Sequence, residues 1–108
     1  MATVENLVID QGQTFSFELT LSNADGTAKN LSGYTTTSQM RKSYYSSTST
    51  SFTTAQVDAT GTITISLTAT QTSAIKAGRY VYDIEIASSS ETLRVLEGIV
   101  TVTPEVTR

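Results

Sequence analysis

The chain has no cysteine and no histidine, no tryptophan, and a single proline at Pro104. Without cysteine there are no disulfides, thiolate zinc sites, iron–sulfur clusters or thiol nucleophiles. Without histidine the usual near-neutral general base and the commonest metal ligand are also missing. Only 16% of the residues are charged, and seven basic against ten acidic side chains leave a net charge of −3. That sign is wrong for a domain that lives on phosphate backbones. No apolar run approaches the roughly 20 residues that span a bilayer. Met1-Ala2-Thr3-Val4-Glu5 shows no basic stretch leading into an apolar one, so no secretory signal is expected.

What the chain has instead is hydroxyl: 21 Thr and 14 Ser among 108 residues. Threonine sits well on a pleated sheet and serine in turns, which points to strands joined by short connections. At 108 residues there is room for one domain, residues 1–108.

Alternation of period two dominates. Residues 14–21 put Phe15, Phe17, Leu19 and Leu21 on one face and Thr14, Ser16, Glu18 and Thr20 on the other. Further strands are expected over residues 6–10, 34–42, 52–57, 61–67, 79–87 and 92–103, with 34–42, weakly apolar, as an edge. In residues 92–103, Leu93 and Val95 share one parity and Val100 and Val102 the other, so a β-bulge is placed at Glu97-Gly98. Thr68-Ala69-Thr70-Gln71 fits a capping box, and Gly78 would stop a short helix over residues 69–77. The pattern predicts an all-β, immunoglobulin-like antiparallel sandwich of seven or eight strands with that one helix. Its core should hold Phe15, Phe17, Leu19, Leu67, Tyr82, Ile84, Val100 and Val102. The terminal segments, residues 1–5 and 104–108, carry little apolar weight and are expected to be mobile arms.

Chemistry-bearing constellations are few. Lys29, Lys42 and Lys76 form no Ser–Lys motif. Asp83 and Glu85 share a strand face two residues apart, the spacing of a glycosidase pair, but also that of a wet sheet face. Asn23-Ala24-Asp25-Gly26 lacks the bidentate Glu of a calcium loop and reads as a turn. No catalytic residue, metal ligand or cofactor site is predicted. The one place where basic and aromatic side chains adjoin is Arg41, Lys42, Tyr44 and Tyr45, at the head of a polar loop over residues 43–51. Tyrosine offers a large contact area at low entropy cost, with Ser and Thr adding adaptable hydrogen bonds. These four residues are the candidate protein-contact site, with a glycan as the alternative ligand.

The order of turns and tyrosines resembles a known family. It runs Gln11-Gly12-Gln13-Thr14-Phe15, Asp25-Gly26-Thr27, Leu31-Ser32-Gly33-Tyr34 and Met40-Arg41-Lys42. Leu67-Thr68-Ala69-Thr70-Gln71-Thr72 and Gly78-Arg79-Tyr80-Val81-Tyr82-Asp83 follow, and Leu96-Glu97-Gly98-Ile99-Val100-Thr101-Val102 closes the chain. Over nearly its whole length the chain is similar to the small Ig-like domain of tailed-bacteriophage virion proteins, including the N-terminal domain of lactococcal baseplate upper proteins. The low-charge stretch Lys42-Ser43-Tyr44-Tyr45-Ser46-Ser47 is similar to proteins of phages of cyanobacteria. The resemblance implies a non-enzymatic particle component, made in the host cytoplasm and incorporated in the virion. It would act as a tail, baseplate or neck adaptor or a capsid decoration domain. Its partners would be other virion proteins in symmetric multiple copies, with no nucleic acid, membrane or cofactor. A carbohydrate-binding or host-adhesion module is the alternative.

Overall fold

A computed structural model describes residues 3–106. Among the described residues, nine strands and one short helix pack as a two-sheet β-sandwich, the all-β Ig-like fold that the alternation implies. In chain order the strands are β1 (Thr3–Val4), β2 (Leu7–Asp10), β3 (Phe15–Thr20), β4 (Thr35–Arg41), β5 (Thr50–Ser51), β6 (Thr53–Val57) and β7 (Thr62–Leu67). Helix α1 (Ala69–Ser73) comes next, followed by β8 (Gly78–Ala87) and β9 (Thr92–Thr103). The larger sheet runs β1-β9-β8-β4-β5 with β2 also beside β9, and the smaller runs β3-β7-β6. Two of the nine strands are two-residue stubs that alternation cannot register, which accounts for the excess over seven or eight.

The sandwich is not wholly antiparallel. Both β1 and β2 run parallel to β9, with Thr3 opposite Leu96 and Leu7 opposite Val100. Period two is the same in either direction, so the pattern carries no information on this. The expected mobile arms are therefore partly tied down. Thr3 and Val4 are in the sheet, and the Glu105 N–H donates to Gln11 Oε1 at 3.0 Å. Residues 1, 2, 107 and 108 lie outside the described residues.

Inward parity is as the sequence indicates, but burial is not uniform. Ile9, Leu31, Met40, Ile63, Ile65, Leu67, Ile84, Ile86, Val100 and Val102 are fully buried, with Tyr82 and Leu96 nearly so. Phe15, Phe17 and Leu19 pack against this core but stay half-exposed. They line the edge of the core rather than its centre, and the reason is position: β3 is the margin of the three-stranded sheet, with no strand beyond it among the described residues. Their place at the centre goes to Phe52, where the chain leaves one sheet for the other. Its ring meets Phe15 at 5.9 Å and the edge of Tyr82 at 6.5 Å.

Strand β4 is not an edge; it lies between β8 and the short β5. Its weakly apolar inner face is hydrogen-bonded instead. Ser38 Oγ donates to the Asp83 carbonyl at 2.7 Å, and Thr36 Oγ1 donates to Gln56 Oε1 at 2.7 Å. Gln56 in turn donates to the Leu31 and Tyr34 carbonyls, so the two sheets are laced together by polar groups that are all satisfied.

The bulge exists, two residues earlier than expected. Ile84 faces Leu96 and Glu85 faces Arg94, which leaves Val95 as the extra residue. The parity change brings Leu93 onto the same face as Leu96, Val100 and Val102. Gly98 serves close approach instead, since a Cβ there would stand 2.1 Å from the Glu5 carbonyl oxygen. The helix is also shorter than expected. The capping box is present, with Gln71 N–H donating to Thr68 Oγ1 at 3.2 Å and Thr68 N–H to Gln71 Oε1 at 2.8 Å. It ends at Ala74 rather than Gly78, because Ile75 turns into the core, and Gly78 opens β8.

Candidate functional site

Strand β4 delivers Arg41 to its end, and the loop over residues 42–49 then projects from the larger sheet. It is shorter than the expected 43–51, because Thr50 and Ser51 pair back onto Met40 and Gln39. A turn closes it: the Ser46 N–H donates to the Ser43 carbonyl at 3.2 Å, and the Ser43 N–H donates to Ser46 Oγ at 3.1 Å. Arg41 braces the turn from below, its guanidinium donating to the Ser46 carbonyl at 2.7 Å and to Gln39 Oε1 at 3.1 Å. Tyr44 and Tyr45 occupy the two central positions of this turn. They are 73% and 95% exposed, so neither packs down as an anchor.

The four sequence-predicted residues separate. Arg41 and Tyr44 meet over an open groove of about 490 Å³ on the outer face of β4, β8 and β9. Tyr45 stands free of it, and Lys42 lies back with its ammonium 4.9 Å over the Tyr80 ring. The groove's other charged walls are Asp83, Glu85, Arg94 and Glu97. Asp83 and Glu85 are thus on the wet sheet face, as their alternation implies. Neither Arg94 nor Glu97 was expected at such a site: Glu97 was expected only at the bulge, and Arg94 reaches the outer face only through the bulge at Val95. Arg94 Nε lies 3.5 Å from Asp83 Oδ2 and Arg94 NH1 lies 3.3 Å from Glu97 Oε1.

Burial on the sheet, with Glu85 next in effect, pushes the Asp83 carboxyl above the ordinary aspartate value, and Arg94 offsets only part of this. A carboxylate with a raised folded-state pKa contributes stability that is complete below about pH 3.9, the ordinary value. That contribution is lost as the pH rises through the raised value. Asp83→Asn should therefore melt at a higher temperature than the parent at pH 7 and at an equal one near pH 3. Melting curves at the two pH values check this, and an unchanged difference between them would refute it.

Among the described residues no group of three His, Cys, Asp or Glu side chains is placed to hold a metal ion. No helix among them is long and apolar enough to cross a membrane. No protein-family model matches the chain, and neither does any curated protein. Among solved structures, InlP of Listeria monocytogenes is similar over 94% of this chain, with a TM-score of 0.52 and 16% identity. The match spans 28% of that chain. A likeness at this identity shows the fold alone.

Proposed function

We propose that this domain is a non-enzymatic attachment module, an Ig-like adaptor or decoration domain of a tailed-phage virion that binds neighbouring subunits. The observation that carries the attachment role is the pair of adjacent tyrosines, largely exposed on a hydrogen-bonded turn braced by Arg41. An exposed aromatic pair on a preorganised support loses little entropy on docking and buries a large area, the usual character of an interface hot spot. The particle setting rests on the motif order that resembles virion Ig-like domains. Many weak contacts repeated by symmetry suit a small domain of this kind.

Replacing both Tyr44 and Tyr45 with Ser should abolish incorporation into particles. Stability should change by no more than about 0.5 kcal/mol, as for exposed sites. Incorporation is read by mass spectrometry of purified virions and stability by urea unfolding of the free domain. Normal incorporation of the double variant would overturn the assignment.

A second reading has its own observation, the groove in which Tyr44 stands beside Arg41 and the charged pairs of β8 and β9. Saccharides are held by such combinations of an aromatic face and planar polar side chains. Saturable glycan binding to the isolated domain, lost in Tyr44→Ser, would favour this reading over the first.

A further inference from the structure

The two sheets do not finish their margins equally. The outer side of β6 is laced to β4 by Thr54 and Gln56, and β5 is a two-residue stub. β9 is covered by β1 and β2. Strand β3 is six residues long, pairs with β7 on one side, and has no strand among the described residues on the other. The Leu21 N–H donates to the Gly61 carbonyl at 2.8 Å, continuing the β3–β7 register in which Phe15, Phe17 and Leu19 face Leu67, Ile65 and Ile63. Backbone groups alternate in direction along a strand, so those of Ser16 and Glu18 point to the open margin. The inward side chains along it are Phe15, Phe17 and Leu19, the half-exposed members of the core.

We infer that β3 pairs with β3 of a second copy of this chain about a two-fold axis, joining the two small sheets into one of six strands. The sequence of the strand selects that occupant. Two antiparallel registers overlap the strand best and keep inward residues opposite inward residues. One sets Glu18 against Glu18 of the second copy, a like-charge contact that opposes pairing. The other sets Phe17 against Phe17 on the axis, Phe15 against Leu19, and Ser16 against Glu18. In the second register the half-exposed apolar row is covered and no like charges meet. Both chains then exchange backbone bonds through Ser16 and Glu18. A C2 contact of this kind is self-complementary, as a closed dimer requires. Edges that stay monomeric usually carry inward charges, proline or a bulge, and β3 has none of these.

The register makes the test specific. In the dimer Ser16 stands opposite Glu18 twice, so Ser16→Lys creates two opposite-charge pairs and Ser16→Glu two like-charge ones. Sedimentation equilibrium of the whole chain from micromolar to millimolar concentration should show a monomer–dimer equilibrium. The lysine variant should dimerise roughly tenfold more tightly and the glutamate variant roughly tenfold more weakly. Position 16 is exposed, so neither change should move the melting temperature of the dilute monomer. Amide exchange at residues 16 and 18 should slow as concentration rises. A monomer at millimolar concentration, or a dimer indifferent to both substitutions, overturns the inference.

Discussion

Ile84→Ala should destabilise the domain by about 2–5 kcal/mol, the range for truncating a buried isoleucine. Ile84 sits in β8, the strand at the middle of the larger sheet, and is fully buried. Its cross-strand neighbours are Ser38 on β4 and Leu96 on β9. Neither flank can collapse into the space, because Ser38 is held by its bond to the Asp83 carbonyl and β9 is fixed by two further strands. The cavity should therefore persist, which puts the loss toward the upper part of the range. Phe17→Ala offers the contrast. A larger side chain is removed there, yet from the half-exposed margin of β3, where water already reaches the ring. It should cost less than Ile84→Ala in urea unfolding at concentrations where the chain is monomeric. A reversed order would mean that β3 is more deeply covered than its position at the sheet margin allows.

That contrast shows how far alternation carries. Period two in residues 14–21, 61–67 and 79–87 assigns each side chain a face, and the faces are right for Phe17, Ile65 and Ile84 alike. Depth is another matter, because it depends on whether a strand lies at a margin, and strand order is not written in any local pattern. The same holds for direction: Leu7 and Ile9 alternate as they would in an antiparallel strand, but they pair in parallel with β9. The bulge was legible as a parity conflict between Leu93 and Val100. Its position was not, since Gly98 draws attention as the flexible residue while the insertion falls on Val95. At the candidate site, Tyr44 and Tyr45 stand out by composition. The groove beside them needs Arg94 and Glu97, which come from a strand about fifty residues away in the chain.

Several motif residues serve structure, which is why their order speaks to fold more than to role. Thr72 is fully buried on α1, accepts from the Gly12 N–H at 3.1 Å, and donates to the Gln13 carbonyl at 2.8 Å. Gln11 Nε2 donates to the Ile75 carbonyl at 2.8 Å. Gln11-Gly12-Gln13 and Leu67-Thr68-Ala69-Thr70-Gln71-Thr72 are thus two halves of one clamp. It fixes the crossing from the larger sheet to the smaller.

Gly98→Ala should be among the most damaging single-methyl additions in the chain. Its backbone is ordinary for an L-residue, so the cost is one of space. The new Cβ would stand 2.1 Å from the Glu5 carbonyl oxygen and 2.8 Å from its carbon, both main-chain atoms that cannot swing aside. The link between β1 and β2 passes directly over this glycine. Three bonds hold it: the Glu5 N–H to the Glu97 carbonyl at 2.8 Å, the Ile99 N–H to Asn6 Oδ1 at 3.1 Å, and the Tyr82 hydroxyl to the Glu5 carbonyl at 2.6 Å. Lifting the link breaks or strains all three and leaves the buried Tyr82 hydroxyl without its acceptor. At about 1 kcal/mol for each bond, the loss should reach roughly 3 kcal/mol. For a domain of this size that lowers the melting temperature by roughly 12–24 °C. Tyr82→Phe removes one of the three bonds and should lose only about 1 kcal/mol. Amide exchange separates the two variants further. In Gly98→Ala the amides of residues 7 and 9, which face β9, should lose protection together, because β2 is released from β9. In Tyr82→Phe they should stay protected. A Gly98→Ala protein that unfolds within about 0.5 kcal/mol of the parent, the spread of ordinary surface changes, would show that the link is not held down on β9.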